Sequence, residues 1–209
     1  MMRPRRYSAK TILICKCPAP RLKSWRSCRY PRCSDQAPVA SRGMSQVQSF
    51  PPIVSQKSKV LILGSMPGEA SLKAGQYYAH PRNAFWPIMG ELFGAGPSLP
   101  YQERVAFLQS AGIALWDSLQ ACLRSGSLDA SITGEVTNHF PGFFDKHPNI
   151  THVFFNGMKA ERVFRRHALP ALTEDQHIFA RLPSTSPAHA AMTLEAKVQA
   201  WCVVRKVLS

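Results

Sequence analysis

Between Gly64 and Trp86 the chain gathers side chains able to hold and read a flat heterocycle: Tyr77, Tyr78, His80, Asn83, Phe85 and Trp86. Aromatic faces stack on a planar ring. A carboxamide offers both a donor and an acceptor to the ring's edge, and loop N–H groups can hold an anion. Together these residues predict a pocket for a planar heterocycle, a nucleobase foremost. The segment opens with the apolar run Val60 to Leu63, long enough for one buried strand. Gly64, Ser65, Met66, Pro67 and Gly68 follow, where the backbone must turn tightly and stay open to whatever sits above it. Open α/β sheets build sites at such strand ends.

The elements that must position these residues are legible as alternating apolar runs and helical stripes. Strands are expected at Lys59–Leu63, Gly112–Trp116, Thr151–Phe155 and His177–Leu182. Helices are expected at Asn83–Phe93, Tyr101–Ser110 and Met158–His167, with a short one around Phe143. A last helix carries Leu194, Val198, Trp201 and Leu208 along one stripe, with Thr193 as its N-cap. Asp117 and Ser118 are read as caps of a further helical turn, Arg124 to Thr133 as a polar loop, and Met44 to Ser58 as an irregular lead-in. Strands alternating with helices give an α/β fold, a three-layer α/β/α sandwich whose central, mainly parallel sheet has about four strands. Strand ends at Gly64, Asn156 and Pro183 would then open on one edge.

Several pieces, in their joint order, resemble the uracil-DNA glycosylase superfamily. G-S-M-P-G at 64–68 with Y-Y-A-H-P-R-N-A-F-W at 77–86 looks like its first motif. The pattern is most similar to the hypoxanthine-DNA glycosylase branch, also called DNA-deoxyinosine glycosylases. L-W-D at 115–117, G-S-L-D-A-S-I at 126–132, F-N-G at 155–157 and L-P-S-T-S-P-A at 182–188 agree with that branch. The resemblance covers residues 58 to 209. It implies a DNA repair enzyme that hydrolyses the N-glycosidic bond of a deaminated base, hypoxanthine first, flipped out of DNA. It implies no cofactor and no metal. A uracil-first glycosylase and a non-catalytic nucleic-acid-binding relative are the alternatives.

The resemblance also assigns roles. In mismatch-specific relatives the first loop carries a catalytic Asn, as G-I-N-P-G; here Met66 stands at that position, and a thioether neither holds a water nor donates to a base. In the hypoxanthine branch the Asn of H-P-x-N-x-F-W is implicated instead, which makes Asn83 the candidate that holds the water. Its everyday alternative is a helix cap. Asn156, at a strand end, corresponds to the Asn that reads the base edge; its alternative is an ordinary Asn-Gly turn. Gly64, Ser65 and Met66 form the loop beside the base. Tyr78, and more weakly Phe85, are candidates to stack on it, a contact worth about 1–3 kcal/mol; both could instead be core. Ser184, Thr185 and Ser186 are candidate phosphate donors. Leu182 stands where uracil-specific members carry a catalytic His, and S-T-S-P offers no large apolar wedge. Asp117, Asp129 and Glu69 are each able to orient a water, and His189 lies seven residues beyond Leu182.

Charge is uneven. Of the 209 residues, Met1 to Gly43 holds eleven Lys/Arg and one acid, whereas the rest is only mildly basic, so net charge is no argument for DNA binding. Residues 1–57 read as a basic, disordered extension and 58–209 as the folded domain, with Met44 a possible true start. The extension is Arg/Ser-rich like a transit peptide, but prolines at 4, 18, 20 and 31 interrupt any amphipathic helix. Its Cys15, Cys17, Cys28 and Cys33 do not have zinc-ligand spacing, and Cys122 and Cys202 read as reduced thiols of a cytoplasmic protein. No apolar run is long enough for a membrane span, and a monomer acting on DNA is the simplest assembly.

Overall fold

The computed structural model describes residues 45–172 and 177–209. In chain order the elements are β1 (Ser45–Gln48), β2 (Val60–Gly64), α1 (Glu69–Ala74), α2 (Phe85–Phe93), α3 (Tyr101–Ser110), β3 (Ile113–Asp117), β4 (Leu119–Arg124), β5 (Thr133–Thr137), α4 (Phe140–Lys146), β6 (His152–Asn156), α5 (Met158–Val163), β7 (Ile178–Leu182) and α6 (Leu194–Leu208). The π-helical turn Phe164–Ala168 continues α5.

Four strands form a wholly parallel sheet in the order β3-β2-β6-β7. Each expected strand is present, shifted by about one residue. Val60, Leu61, Ile62 and Leu63 are all fully buried because both faces of the sheet are covered. Alternation sends Val60 and Ile62 to one face, with Ile88 and Met89 of α2 and Trp201 and Val204 of α6. It sends Leu61 and Leu63 to the other, against Phe140 and Phe144 of α4, Phe155 and Phe164. The three-layer α/β/α sandwich is the fold of this chain.

The register carries the functional consequence. Gly64 pairs with Asp117, Leu63 with Phe155, and Asn156 with Leu182. The carboxyl ends of all four strands therefore reach one edge, in the spatial order Asp117, Gly64, Asn156, Leu182.

Three differences from the expected elements matter. Ser45–Gln48 is not irregular: it pairs antiparallel with β4, and Ile53 bridges Leu115, so the folded part begins before residue 58. Residues 1–44, with the disorder and the four cysteines expected there, lie outside the described residues. Asp117 and Ser118 cap no helix. They end β3, and the chain reverses directly into β4 of a three-stranded antiparallel sheet, β1-β4-β5. The expected polar loop is shorter, because β4 runs to Arg124 and only 125–132, with a 3-10 turn at Asp129–Ser131, stands off the sheet. Short, one-sided strands such as L-Q-A-C-L-R carry a weak period-2 signal, which is why this sheet was hard to foresee. Among the described residues no helix is long and apolar enough to cross a membrane.

Val47 is buried with Cys122, Leu119 and Met66. Burial of one such side chain is worth about 1.5–3 kcal/mol, and 1 kcal/mol moves the melting temperature of a domain this size by roughly 2–4 °C. A chain beginning at residue 58 is therefore expected to melt at least ~4 °C below one beginning at residue 45, by circular dichroism.

Candidate active site

At the carboxyl edge of the parallel sheet lies a hollow of about 390 Å³. Gly64, Ser65, Met66, Tyr78, Asn83, Asn156, Ser184, Thr185 and Ser186 all line it, from four separate loops. Phe85 does not. It is fully buried behind Tyr78, its ring stacked on that tyrosine with centroids 4.0 Å apart, and its edge faces Trp86 and Trp201. The base-stacking role considered for Phe85 gives way to a supporting one: it braces the ring that faces the hollow. The three residues on which the sequence argument turns, Tyr78, Asn83 and Asn156, share this one space.

Tyr78 is the one residue other than glycine, among those described, with a left-handed backbone, φ 55°. Such a conformation is uncommon for a tyrosine and concentrates at functional sites. It turns Tyr78 toward the hollow while Tyr77, next in the chain, stays in the core with its hydroxyl on the carbonyls of Phe50 and Pro51. The Tyr78 hydroxyl is buried without a hydrogen-bond partner. Burial, and then the nearby carboxyl of Asp117, push its pKa upward, so it remains a proton donor.

Asn83 lines the hollow, and its Oδ1 accepts the Phe85 N–H at 2.9 Å in a local turn before α2, whose N-cap is Ala84 with no side-chain cap bond; its NH2 is left for the hollow. Asn156 is more committed. Its Oδ1 accepts the Thr185 N–H and its Nδ2 donates to Thr185 Oγ1, both at 2.8 Å. One N–H and one lone pair remain for a ligand. Gly157 turns with φ 94°, and a Cβ there would lie 2.9 Å from Ser184, so only glycine lets the two loops meet.

The 183–189 loop is held from three sides. Thr185 O accepts the Ala84 N–H, Pro183 O accepts Trp201 Nε1–H, and His189 O accepts the ammonium of the buried Lys197. Ser184 Oγ accepts the Ser186 N–H and Ser186 Oγ accepts the Ala188 N–H. Each hydroxyl keeps its own hydrogen for an anion. Leu182 is buried in the core, and His189 stands at the rim of the hollow.

Met66 is nearly buried, packed with Val47, Leu119 and Cys122, so it touches the hollow chiefly as wall. The first loop is anchored by Arg124, whose buried guanidinium donates to Pro67 O. Ser65 Oγ donates to Asp129 Oδ1 at 2.7 Å, and Glu69 N–H donates to Ser127 Oγ at 2.9 Å. These bonds fix the 125–132 turn against the hollow. At its tip Leu128 lines the rim and is 62% exposed. The resemblance includes Leu128 in G-S-L-D-A-S-I but gives it no role; its one further signal is an apolar residue inside a run of small and polar ones, S-G-S-L-D-A-S.

Asp117 is the group whose importance the sequence left undecided. It is only 3% exposed, yet lines the hollow. Its Oδ2 accepts the Ser49 hydroxyl at 2.7 Å. Its Oδ1 takes the space a side chain at Gly64 would need: a Cβ there would meet that oxygen at 2.5 Å. Burial raises its pKa to about 7; the Ser49 hydrogen bond and distant Arg124 pull the other way, and Asp129 adds to the rise.

The model of the "Uracil DNA glycosylase superfamily" matches residues 51–205. A hypoxanthine DNA glycosylase of Methanosarcina barkeri is 41% identical over 114 residues, 54% of this chain and 72% of that protein. One from Methanosarcina acetivorans is 35% identical over the same shares. The solution structure of a candidate uracil DNA glycosylase from Methanosarcina acetivorans superposes with a TM-score of 0.67 at 30% identity, covering 78% of this chain and 99% of that one.

A buried carboxyl with a raised pKa stabilises the fold in its neutral form, and that contribution is lost as pH rises through about 7. Asp117→Asn, which is always neutral, is therefore expected to melt above the wild type at pH 9 and close to it at pH 4. Thermal unfolding at the two pH values checks the sign.

Proposed function

Since this chain belongs to the uracil DNA glycosylase superfamily, we propose that its hollow receives a deaminated base, hypoxanthine first, swung out of DNA, and that the N-glycosidic bond is hydrolysed there. The observation that carries this reading is the meeting of Tyr78, Asn83 and Asn156 around one hollow at the sheet edge. The reaction class is that of a DNA glycosylase, in keeping with relatives that are named hypoxanthine DNA glycosylases.

The target bond lies inside the duplex, so the nucleotide must leave the stack, at a cost of a few kcal/mol that is smaller for a poorly paired base. The base stacks on the ring of Tyr78, which Phe85 backs. The free N–H of Asn156 meets its edge. The hydroxyls of Ser184 and Ser186 face the flanking phosphates. The free NH2 of Asn83 donates to the attacking water and fixes its direction, while the bond its oxygen accepts from the Phe85 N–H holds the side chain in place. No lysine or cysteine lines the hollow among the described residues, which favours a monofunctional hydrolase over a lyase. A monomer in the cytoplasm is the simplest setting for this reading, and DNA is its partner.

Leu128 supplies the apolar wedge that S-T-S-P lacks. It projects at the rim on a turn pinned by Ser65, Ser127 and Ser131, so it can fill the gap left in the stack without the turn having to reorganise.

Asn83→Ala is expected to lower single-turnover release of hypoxanthine by about 10²–10⁴-fold. It also loses the hydrogen bond to the Phe85 N–H, worth about 1 kcal/mol. Asn83→Ser, which keeps an oxygen acceptor for that N–H and loses the NH2, is expected to restore the melting temperature but not the activity. Retained wild-type rates in either variant would refute the assignment. Leu128→Ala is expected to slow release from duplex DNA at least tenfold while leaving release from single-stranded DNA within about twofold.

A further inference from the structure

The hollow is lined by three carboxyl groups, Glu69, Asp117 and Asp129, and by two histidines, His80 and His189, but by no lysine or arginine among the described residues. This is a poor place to leave a negative charge. When a C–N glycosidic bond breaks heterolytically, its electron pair goes to the base, and a base that departs unprotonated departs as an anion. Beside carboxylates in a low-dielectric hollow that anion is repelled. A purine has a way out that a pyrimidine lacks: its N7 can take a proton as the bond to N9 breaks, and the base then leaves neutral.

Resting on the hydrolase reading above, we propose that the Asp117 carboxyl is the acid that delivers this proton to N7 of the departing purine. Its position fits the task. It sits at the end of β3, at the floor of the hollow, directly beside Gly64, whose missing side chain leaves the space that Oδ1 occupies. Oδ2 is held by Ser49, and Oδ1 makes no hydrogen bond to protein among the described residues, so one oxygen is anchored and the other is available. The charged and titratable groups around it are few. Tyr77 and Tyr78 approach from the loop after α1, Asp129 from the 3-10 turn and Arg124 from β4. Arg124 donates to Pro67 O through one nitrogen, its Nε and Nη1 are buried without partners, and it makes no ion pair with Asp117. With no cation in contact and burial dominating, the carboxyl is raised to about 7 and is substantially protonated at neutral pH.

The step balances. The Asp117 O–H bond breaks and an N7–H bond forms as C1′–N9 breaks, with the bonding pair retained by the base. Neutral base departs, the negative charge stays on the Asp117 carboxylate, which the Ser49 hydroxyl holds, and the positive charge on the sugar lies opposite it. Water held at Asn83 adds to C1′, and the proton it sheds returns Asp117 to its starting form. The sum is one water consumed, one free base and one abasic sugar formed.

The test is the pH dependence of hypoxanthine release in single turnover, with duplex DNA containing deoxyinosine and a second duplex carrying N7-methylated hypoxanthine. In the second the base is already cationic and needs no proton. For wild type on deoxyinosine, the rate is expected to fall as pH rises through about 7. Asp117→Asn is expected to lose about 10²–10⁴-fold on deoxyinosine at pH 6.5 and to lose that basic limb. On the N7-methylated base the same variant is expected to lose less than about tenfold. The proposal is overturned if Asp117→Asn keeps wild-type rates, if the wild-type rate climbs with pH as for a general base, or if both substrates suffer equally. The thermal melt of Asp117→Asn separates lost chemistry from lost fold. If wild type releases no base from either duplex, it is the glycosylase reading itself that fails.

Discussion

Strand β2 is hydrogen-bonded in parallel to β3 on one side and to β6 on the other, and β6 in turn to β7. Parallel pairing with this register leaves the four strands no choice about where they end. Asp117, Gly64, Asn156 and Leu182 arrive at one level, and every loop that leaves them starts beside the others. The apolar faces that hold the sheet in this arrangement are complete on both sides. The edge that carries the hollow thus inherits the rigidity of the core without contributing much to it. A residue at a strand end is placed by the strand, and its neighbours across the sheet are placed by the same hydrogen bonds.

What the loops add is fastening. Each lining segment is tied to another element by hydrogen bonds that leave functional atoms over. Asn83 binds the Phe85 N–H with its oxygen and keeps its NH2. Asn156 grips Thr185 and keeps one N–H. Asp117 anchors one oxygen on Ser49 and keeps the other. A polar side chain used in this way is oriented before any ligand arrives, which is the main requirement for directing a water or a proton. The left-handed backbone at Tyr78 and the missing side chain at Gly64 belong to the same scheme. One is a local strain and the other a loss of packing, and both make room for a ring and a carboxyl in the hollow.

Much of this was readable before the fold was in hand, for identifiable reasons. The parallel strands announced themselves because burial on both faces writes unbroken apolar runs such as V-L-I-L and V-F-F. Tyr78, Asn83 and Asn156 were legible through motif order. The antiparallel sheet was not, because β1, β4 and β5 are short, half-exposed and polar, and their pairing is set by contacts far apart in sequence. Phe85 could not be told from a ligand-facing ring by type alone; only the stacking order shows that it lies behind Tyr78. Asp117 was seen but not ranked, since L-W-D reads equally as a cap. Its weight comes from burial and from Oδ1 lying over Gly64, which no spacing encodes. Leu128 was missed because exposure at a rim is a property of the folded surface.

The account rests on a base leaving DNA and entering the hollow beside Tyr78. Chromatographic detection of the free base, from duplexes that differ only in carrying hypoxanthine or uracil at one position, tests this directly. Free hypoxanthine and an equal amount of abasic DNA, formed faster than free uracil and slowed about 5–150-fold by Tyr78→Ala, is the predicted result. Intact deoxyinosine after prolonged incubation with folded, DNA-bound protein would contradict it.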